Sequence, residues 1–212
     1  SNKLCERKFF TLQIITLIFF NCVFILSSSS CMRKAKFAQS PFNNPGYHYS
    51  LGIQQLENGD IDAANESFTR AKALKHDYAL ADVGLALAAL AQKEFKSAER
   101  HITLALRQDR KCFQAHIAAG KLKMLVGLDS KNVEESWIQD SLKSFNQALK
   151  ISKNDPEILY AIGEAYLASG NLKDSQDAFK LILDSNNEFW SIKARKRLKF
   201  TQKQSQFLFL VV

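Results

Sequence analysis

Side chains able to act as nucleophiles, metal ligands or general bases are few and scattered. Cysteines stand at 5, 22, 31 and 112, and histidines at 48, 76, 101 and 116. Cys112 and His116 are four apart and can share a helical face, but two ligands fall short of a zinc site. No Gly-rich phosphate loop, nucleophile elbow or His-Glu-x-x-His is present. The carboxylates form no pair placed for acid–base work. The chain is therefore expected to be no enzyme and to hold no metal. Cys31 has the most distinctive surroundings. Ser27–Ser30 precede it, residues 9–26 before them carry no charge, and Lys3, Arg7 and Lys8 lead the chain. A basic start, an apolar run and small residues in that order read as an export signal. The apolar run is also just long enough to span a bilayer, so an uncleaved anchor is the alternative.

Small residues directly before a cysteine resemble the lipobox of bacterial lipoproteins. The match covers Leu26 through Cys31, with Ser28 where that family most often has Leu. The resemblance implies removal of residues 1–30, a covalent lipid on Cys31 and no other cofactor. It also implies a bacterial cell envelope location, at the outer membrane or cell surface rather than the inner membrane. The plainer reading is ordinary secretion with Cys31 incidental. Cleavage would leave Cys112 as the one unmodified thiol, so no internal disulfide is possible. Residues 31–44 then form a tether, with Arg33, Lys34 and Lys36 beside the lipid and able to touch anionic headgroups.

Composition agrees with an exported, ordered protein. Of 212 residues, 46% are hydrophobic and 24% charged, and the formal net charge is +8. These values exclude collagen-like and disulfide-dense scaffolds and wholesale disorder. Loss of residues 1–30 removes three bases and one acid, leaving 26 bases against 20 acids. The basic balance would suit nucleic acid in a cell interior, but export makes that partner improbable.

The middle of the chain is a repeat. Segments 45–78, 79–112, 113–155 and 156–189 align, with small residues recurring at fixed places and aromatic or aliphatic ones between them. Gly52, Ala86, Gly120 and Gly163 leave room for a neighbouring helix, as do Ala64, Ala98 and Ser141. Phe68, Ile102, Phe145 and Phe179 fill gaps between pairs. Gly59 and Gly170 suit short turns with positive φ; Lys93 stands at the matching place in the second repeat. The pattern resembles the tetratricopeptide repeat, most closely over Asp155–Phe179. That family implies an all-α, right-handed superhelical solenoid, here of four helix pairs plus a capping helix at 190–206. A lone pair cannot bury its apolar face, so stacking supplies the core. The third repeat has nine extra residues after Gly127. They predict about two added helical turns, with Ser130 or Asn132 as cap and Glu134 and Glu135 in the first turn. Trp137 there either lengthens the core or makes a rim contact.

In tetratricopeptide proteins the first helix of each pair lines a concave groove that binds peptides or partner helices. Carried over, the groove positions are Tyr49, Ile53, Leu56 and Glu57; Leu80, Val83, Leu87 and Leu90; Ile117, Lys121, Met124 and Leu125; and Tyr160, Glu164 and Leu167. The second repeat adds its own signal. Leu80, Val83, Leu87 and Leu90 make a second apolar stripe on a helix already apolar elsewhere. Two readings stand open: an apolar groove floor that binds a partner, edged by Lys121, Glu57 and Glu164, or a stripe buried by closure of a short solenoid.

In the capping helix, Trp190, Ala194 and Leu198 suit the inner side. Lys193, Arg195, Lys196, Arg197 and Lys199 suit a solvated one. Residues 207–212 are uncharged and β-prone. They are expected to pack into an apolar groove, their own or that of a second copy as a homo-oligomer. The expected function is a lipid-anchored scaffold that binds a protein or peptide of the envelope, in assembly of envelope machinery. Two alternatives are a small-molecule or lipid carrier beside a transporter, and a surface lipoprotein binding a foreign macromolecule.

Overall fold

The computed structural model describes residues 43–130 and 136–211, with side chains through Gln204. The chain divides into two units, residues 1–40 and 41–212. The export signal, Cys31 and the tether up to residue 42 lie outside the described residues, as do Asn132, Glu134, Glu135 and the side chains of 207–212.

The described residues are all-helical: α1 Pro45–Glu57, α2 Ile61–Leu74, α3 Ala79–Ala91, α4 Phe95–Gln108, α5 Phe113–Asp129, α6 Ser136–Ile151, α7 Pro156–Ala168, α8 Leu172–Leu183 and α9 Glu188–Val211. Four consecutive pairs are followed by a single helix. Side-chain caps fix several starts. Asn44, Asp60, Asp155 and Asn171 accept from the amides of Gly46, Ala63, Glu157 and Asp174 at 2.8–3.2 Å. Pro45 and Pro156 occupy first-turn positions, where the missing N–H costs nothing.

The pairs are spaced by aromatic rings lying on bare backbone. A Cβ at Gly52, Gly120 or Gly163 would run into the ring of Phe68, Phe145 or Phe179 respectively. Each of these phenylalanines is fully buried. They sit within a pair as well as between pairs: Phe145 packs with Ile158, Ala161 and Ala165 of α7, and Phe179 with Ala194 and Leu198 of α9. In the second pair Ile102 takes this place, and the smaller side chain leaves room for Ala86 rather than glycine. Gly84 is a contact the repeat alignment does not show. It lets α3 close on the other face of Phe68.

Turns between the paired helices need a left-handed residue. Gly59 and Gly170 supply it at φ 83° and 80°, and Lys93 adopts φ 60° without glycine's freedom. The long third pair differs from expectation in detail. The extra length is split between α5 and α6, and Ser130 ends α5 instead of capping a new start. Gly127 is no turn residue: it lies within α5, and its missing Cβ admits the Trp137 ring. Trp137 is buried, so it lengthens the core and makes no rim contact. The last helix also runs further than expected, its backbone staying helical through Val211 despite the β-prone sequence.

One buried polar knot ties the first two pairs. Asp82 on α3 has no exposed side-chain surface. Its Oδ1 accepts from Lys72 Nζ at 2.7 Å and faces His101 Nδ1 at 2.9 Å, and its Oδ2 accepts from Gln108 at 3.0 Å. Burial alone would raise the carboxyl's pKa. The hydrogen bonds from His101, Lys72 and Gln108 outweigh it and hold the group below the ordinary carboxylate range.

Two substitutions of opposite sign test this packing by chemical denaturation. Gly84→Ala forces a methyl into the Phe68 ring and should cost about 1–3 kcal/mol. Lys93→Gly relieves the left-handed backbone and should add about 1 kcal/mol. Asp82→Asn should cost about 2 kcal/mol or more at neutral pH. A carboxyl whose folded pKa is lowered stabilises above its unfolded pKa and loses that contribution as pH falls through the folded value. The gap between wild type and Asp82→Asn should therefore shrink in acid, as unfolding curves from pH 7 down to 2 will show.

Candidate binding cavity

The first helices of the four pairs run side by side and turn one face of each toward a common space. That space is a cavity of about 920 Å³. Tyr49, Ile53, Leu56 and Glu57 line it from α1, and Val83, Leu87 and Leu90 from α3. Ile117, Lys121, Met124 and Leu125 line it from α5, and Tyr160 and Glu164 from α7. Two expected positions lie elsewhere. Leu80 packs at the junction with Ala105, Cys112 and Ala115. Leu167 faces a separate depression with Leu172 and Phe200.

The cavity is half open, and parts of its wall are core. Val83 and Leu90 line it yet keep only 1% and 5% of their surface exposed. Packing against α4 and α5 buries them, while α9 brings Phe189, Trp190 and Lys193 to the same space. Lys193 Nζ reaches Glu57 Oε1 at 2.8 Å, joining the last helix to the first. It also lies 4.2 Å and 5.0 Å from the ring centroids of Phe189 and Trp190. Beside it, Arg197 donates to Glu164 Oε2 at 2.6 Å and to the Tyr160 hydroxyl at 3.3 Å. Lys193 and Arg197 are thus closing residues of the cavity and do not belong to the solvated basic face. Arg195, Lys196 and Lys199 are exposed.

Repeat positions alone miss Glu157, Phe189, Trp190 and Lys193. Glu157 occupies in the fourth repeat the place that Leu80 occupies in the second and Gln114 in the third, and Gln114 also faces the cavity. The residues of α9 lie beyond the repeat, so no register points to them.

Charges inside this apolar wall are perturbed by burial. Lys121 is part-buried, its remaining surface facing the cavity, and burial lowers its pKa against the pull of Glu157. Burial raises both Glu157 and Glu164, opposed by Lys121 and Arg197 respectively. Burial, reinforced by Glu157, also lifts the Tyr49 hydroxyl. Among the described residues no three His, Cys, Asp or Glu side chains gather as a metal site. Cys112 is buried with its thiol near Gln114, and His116 faces the Arg110 carbonyl.

A lysine whose folded pKa is lowered opposes folding while the unfolded chain binds the proton and the folded one resists it. Stability then rises with pH from the folded value up to the unfolded one. Lys121→Met should raise the melting temperature at pH 7 by roughly 2–4 °C, the equivalent of about 1 kcal/mol in a chain of this size. The gain should fade toward pH 10, as differential scanning calorimetry at both pH values will check.

Residues 49–120 match a family described as tetratricopeptide repeat, and residues 138–170 one described as TPR repeat. No curated protein matches the chain. Among solved structures it is similar to a thermophilic TPR protein of Thermus thermophilus, at 16% identity over 74% of this chain and 98% of that one, with a TM-score of 0.50. It is also similar to the Cut9–Hcn1 hetero-tetramer of the APC/C, at 16% identity over 88% of this chain and 34% of that one, with a TM-score of 0.58. Likeness at such identity speaks for the fold. The described residues form an all-α solenoid of helix pairs, and two stretches of it are similar to tetratricopeptide repeats.

Proposed function

We propose that this protein is a lipid-anchored, non-catalytic interaction module of a bacterial envelope, which takes an apolar partner into the cavity lined by its first helices. The observation that carries the reading is the cavity wall. Tyr49, Val83, Ile117 and Tyr160 recur at one position of successive pairs, and Ile53, Leu87, Lys121 and Glu164 recur at the next inward position. Apolar surface gathered in one concave space with a few polar groups is the usual form of a binding site. Tetratricopeptide repeats are protein-interaction scaffolds, which favours a protein or peptide partner. The sequence before the first helix favours the anchor: Ser27–Ser30 ahead of Cys31, after an uncharged run.

A second reading, a carrier of a small ligand, is favoured by closure. The Lys193–Glu57 pair bridges the ends of the stack, and about 920 Å³ lies within the range of small-ligand pockets.

The test has two parts. A photocrosslinker at Ile53 or Met124 should capture a discrete partner in native membranes, and Leu87→Glu should abolish capture by placing a charge in the apolar wall. Equal capture by the variant would sink the cavity reading. Fatty-acid labelling should mark the wild type and fail on Cys31→Ala; labelling that survives would remove the anchor.

A further inference from the structure

The charged groups around the cavity fall into two sets. At its edge every charge is matched: Lys193 with Glu57, and Arg197 with Glu164 Oε2. Inside, three polar groups have no hydrogen-bond or ion-pair partner among the described residues: the Lys121 ammonium, the Glu157 carboxylate and the Tyr49 hydroxyl. Glu164 Oε1 is a fourth unpartnered atom, fully buried. Lys121 comes from α5, and Glu157 and Glu164 from one face of α7, two turns apart. Each acts on Lys121 through space without touching it. Lys121 and Glu157 are part-buried and keep surface on the cavity, so one cation and one anion stand available to whatever enters it.

We infer that the cavity binds an apolar zwitterion: a ligand whose carboxylate meets Lys121, whose ammonium meets Glu157, and whose apolar or aromatic body lies along Val83, Leu87 and Leu90. The inference rests on the cavity being the binding site, and it adds the chemistry of the occupant. A purely anionic amphiphile would set a second negative charge beside Glu157 and Glu164. A purely cationic one would set a charge beside Lys121. A ligand with one of each is neutral overall and supplies both partners, and each such contact is a charge-assisted hydrogen bond. A free hydrophobic amino acid and a short unblocked apolar peptide share the required chemistry, and both fit the volume.

The full-length chain is titrated with the uncharged dye N-phenylnaphthylamine, with Leu87→Glu as the reference that reports cavity-independent dye. Phenylalanine and the dipeptide leucyl-leucine are then used to displace it, each as the free zwitterion, the N-acetyl form and the C-terminal amide. The expected result is displacement by a free zwitterion and at least tenfold weaker displacement when either end is blocked. Preference for phenylalanine assigns an amino acid, and preference for the dipeptide assigns a peptide. Lys121→Met should remove the penalty for amidation, and Glu157→Gln the penalty for acetylation. The blocked ligands keep the inference testable should either variant fold poorly. Displacement that is equal for free and blocked forms, or absent for all, overturns the zwitterion while leaving the cavity as a binding site. Dye binding that is identical in wild type and Leu87→Glu overturns the cavity reading itself.

Discussion

Everything on the inner side of this stack depends on how closely the helices of a pair approach. The rings of Phe68, Phe145 and Phe179 lie on bare backbone at Gly52, Gly120 and Gly163. A ring pressed on a glycine brings two helix axes nearer than any pair of ordinary side chains allows. It also fixes rotation, because a single face of the first helix can present the glycine. With that face committed to the partner helix, the positions flanking the glycine are fixed too, and Tyr49 and Tyr160 lie beside the same rings. Tyr49, Val83, Ile117 and Tyr160 therefore end up on one wall although each is more than thirty residues from the next. The cavity is a consequence of the packing between helices, not a separate construction.

Closure of the cavity follows from a different kind of contact. The repeat brings α1, α3, α5 and α7 alongside one another but gives α1 no reason to meet the far end. That contact is made by α9, whose inner face is set by Ala194 and Leu198 against Phe179. Once those are buried, Trp190 and Lys193 are carried toward the cavity by helical spacing alone. The ion pair with Glu57 is partly exposed and adds little stability. Its importance is geometric: it places a polar stitch between residues 136 apart in sequence, at the edge of the apolar wall.

The periodic part of this arrangement was legible in sequence, because steric demands repeat. A small residue facing a large one recurs every 34 residues, so Gly52, Ala86 and Gly120 announce themselves. The second apolar stripe on α3 was legible for the same reason, although which of its members are buried depended on how α4 and α5 pack against them. What escaped was whatever occurs once. Gly84 meets Phe68 from the next pair, and nothing in the first repeat marks that approach. Lys193 and Arg197 stand in a run of bases that reads as a solvated face, and two of that run turn inward where carboxylates await them. Gly127 matched the turn glycines by position, but the added length of α5 carried the helix past it.

The same distinction separates scaffold from site. Positions that repeat are needed to build any stack of helix pairs, and they are apolar or small. Lys121, Glu157 and Glu164 break the repeat, placing charges where the first two pairs have Leu87, Leu80 and Ile53. Such departures weaken the fold, since part-burial costs each charge some of its hydration and supplies no direct partner, Glu164 excepted through Arg197. A stack optimised for stability alone would continue the aliphatic pattern at Lys121 and Glu157. Their placement on facing helices, one of each sign, is what turns an apolar void into a surface with a chemical preference.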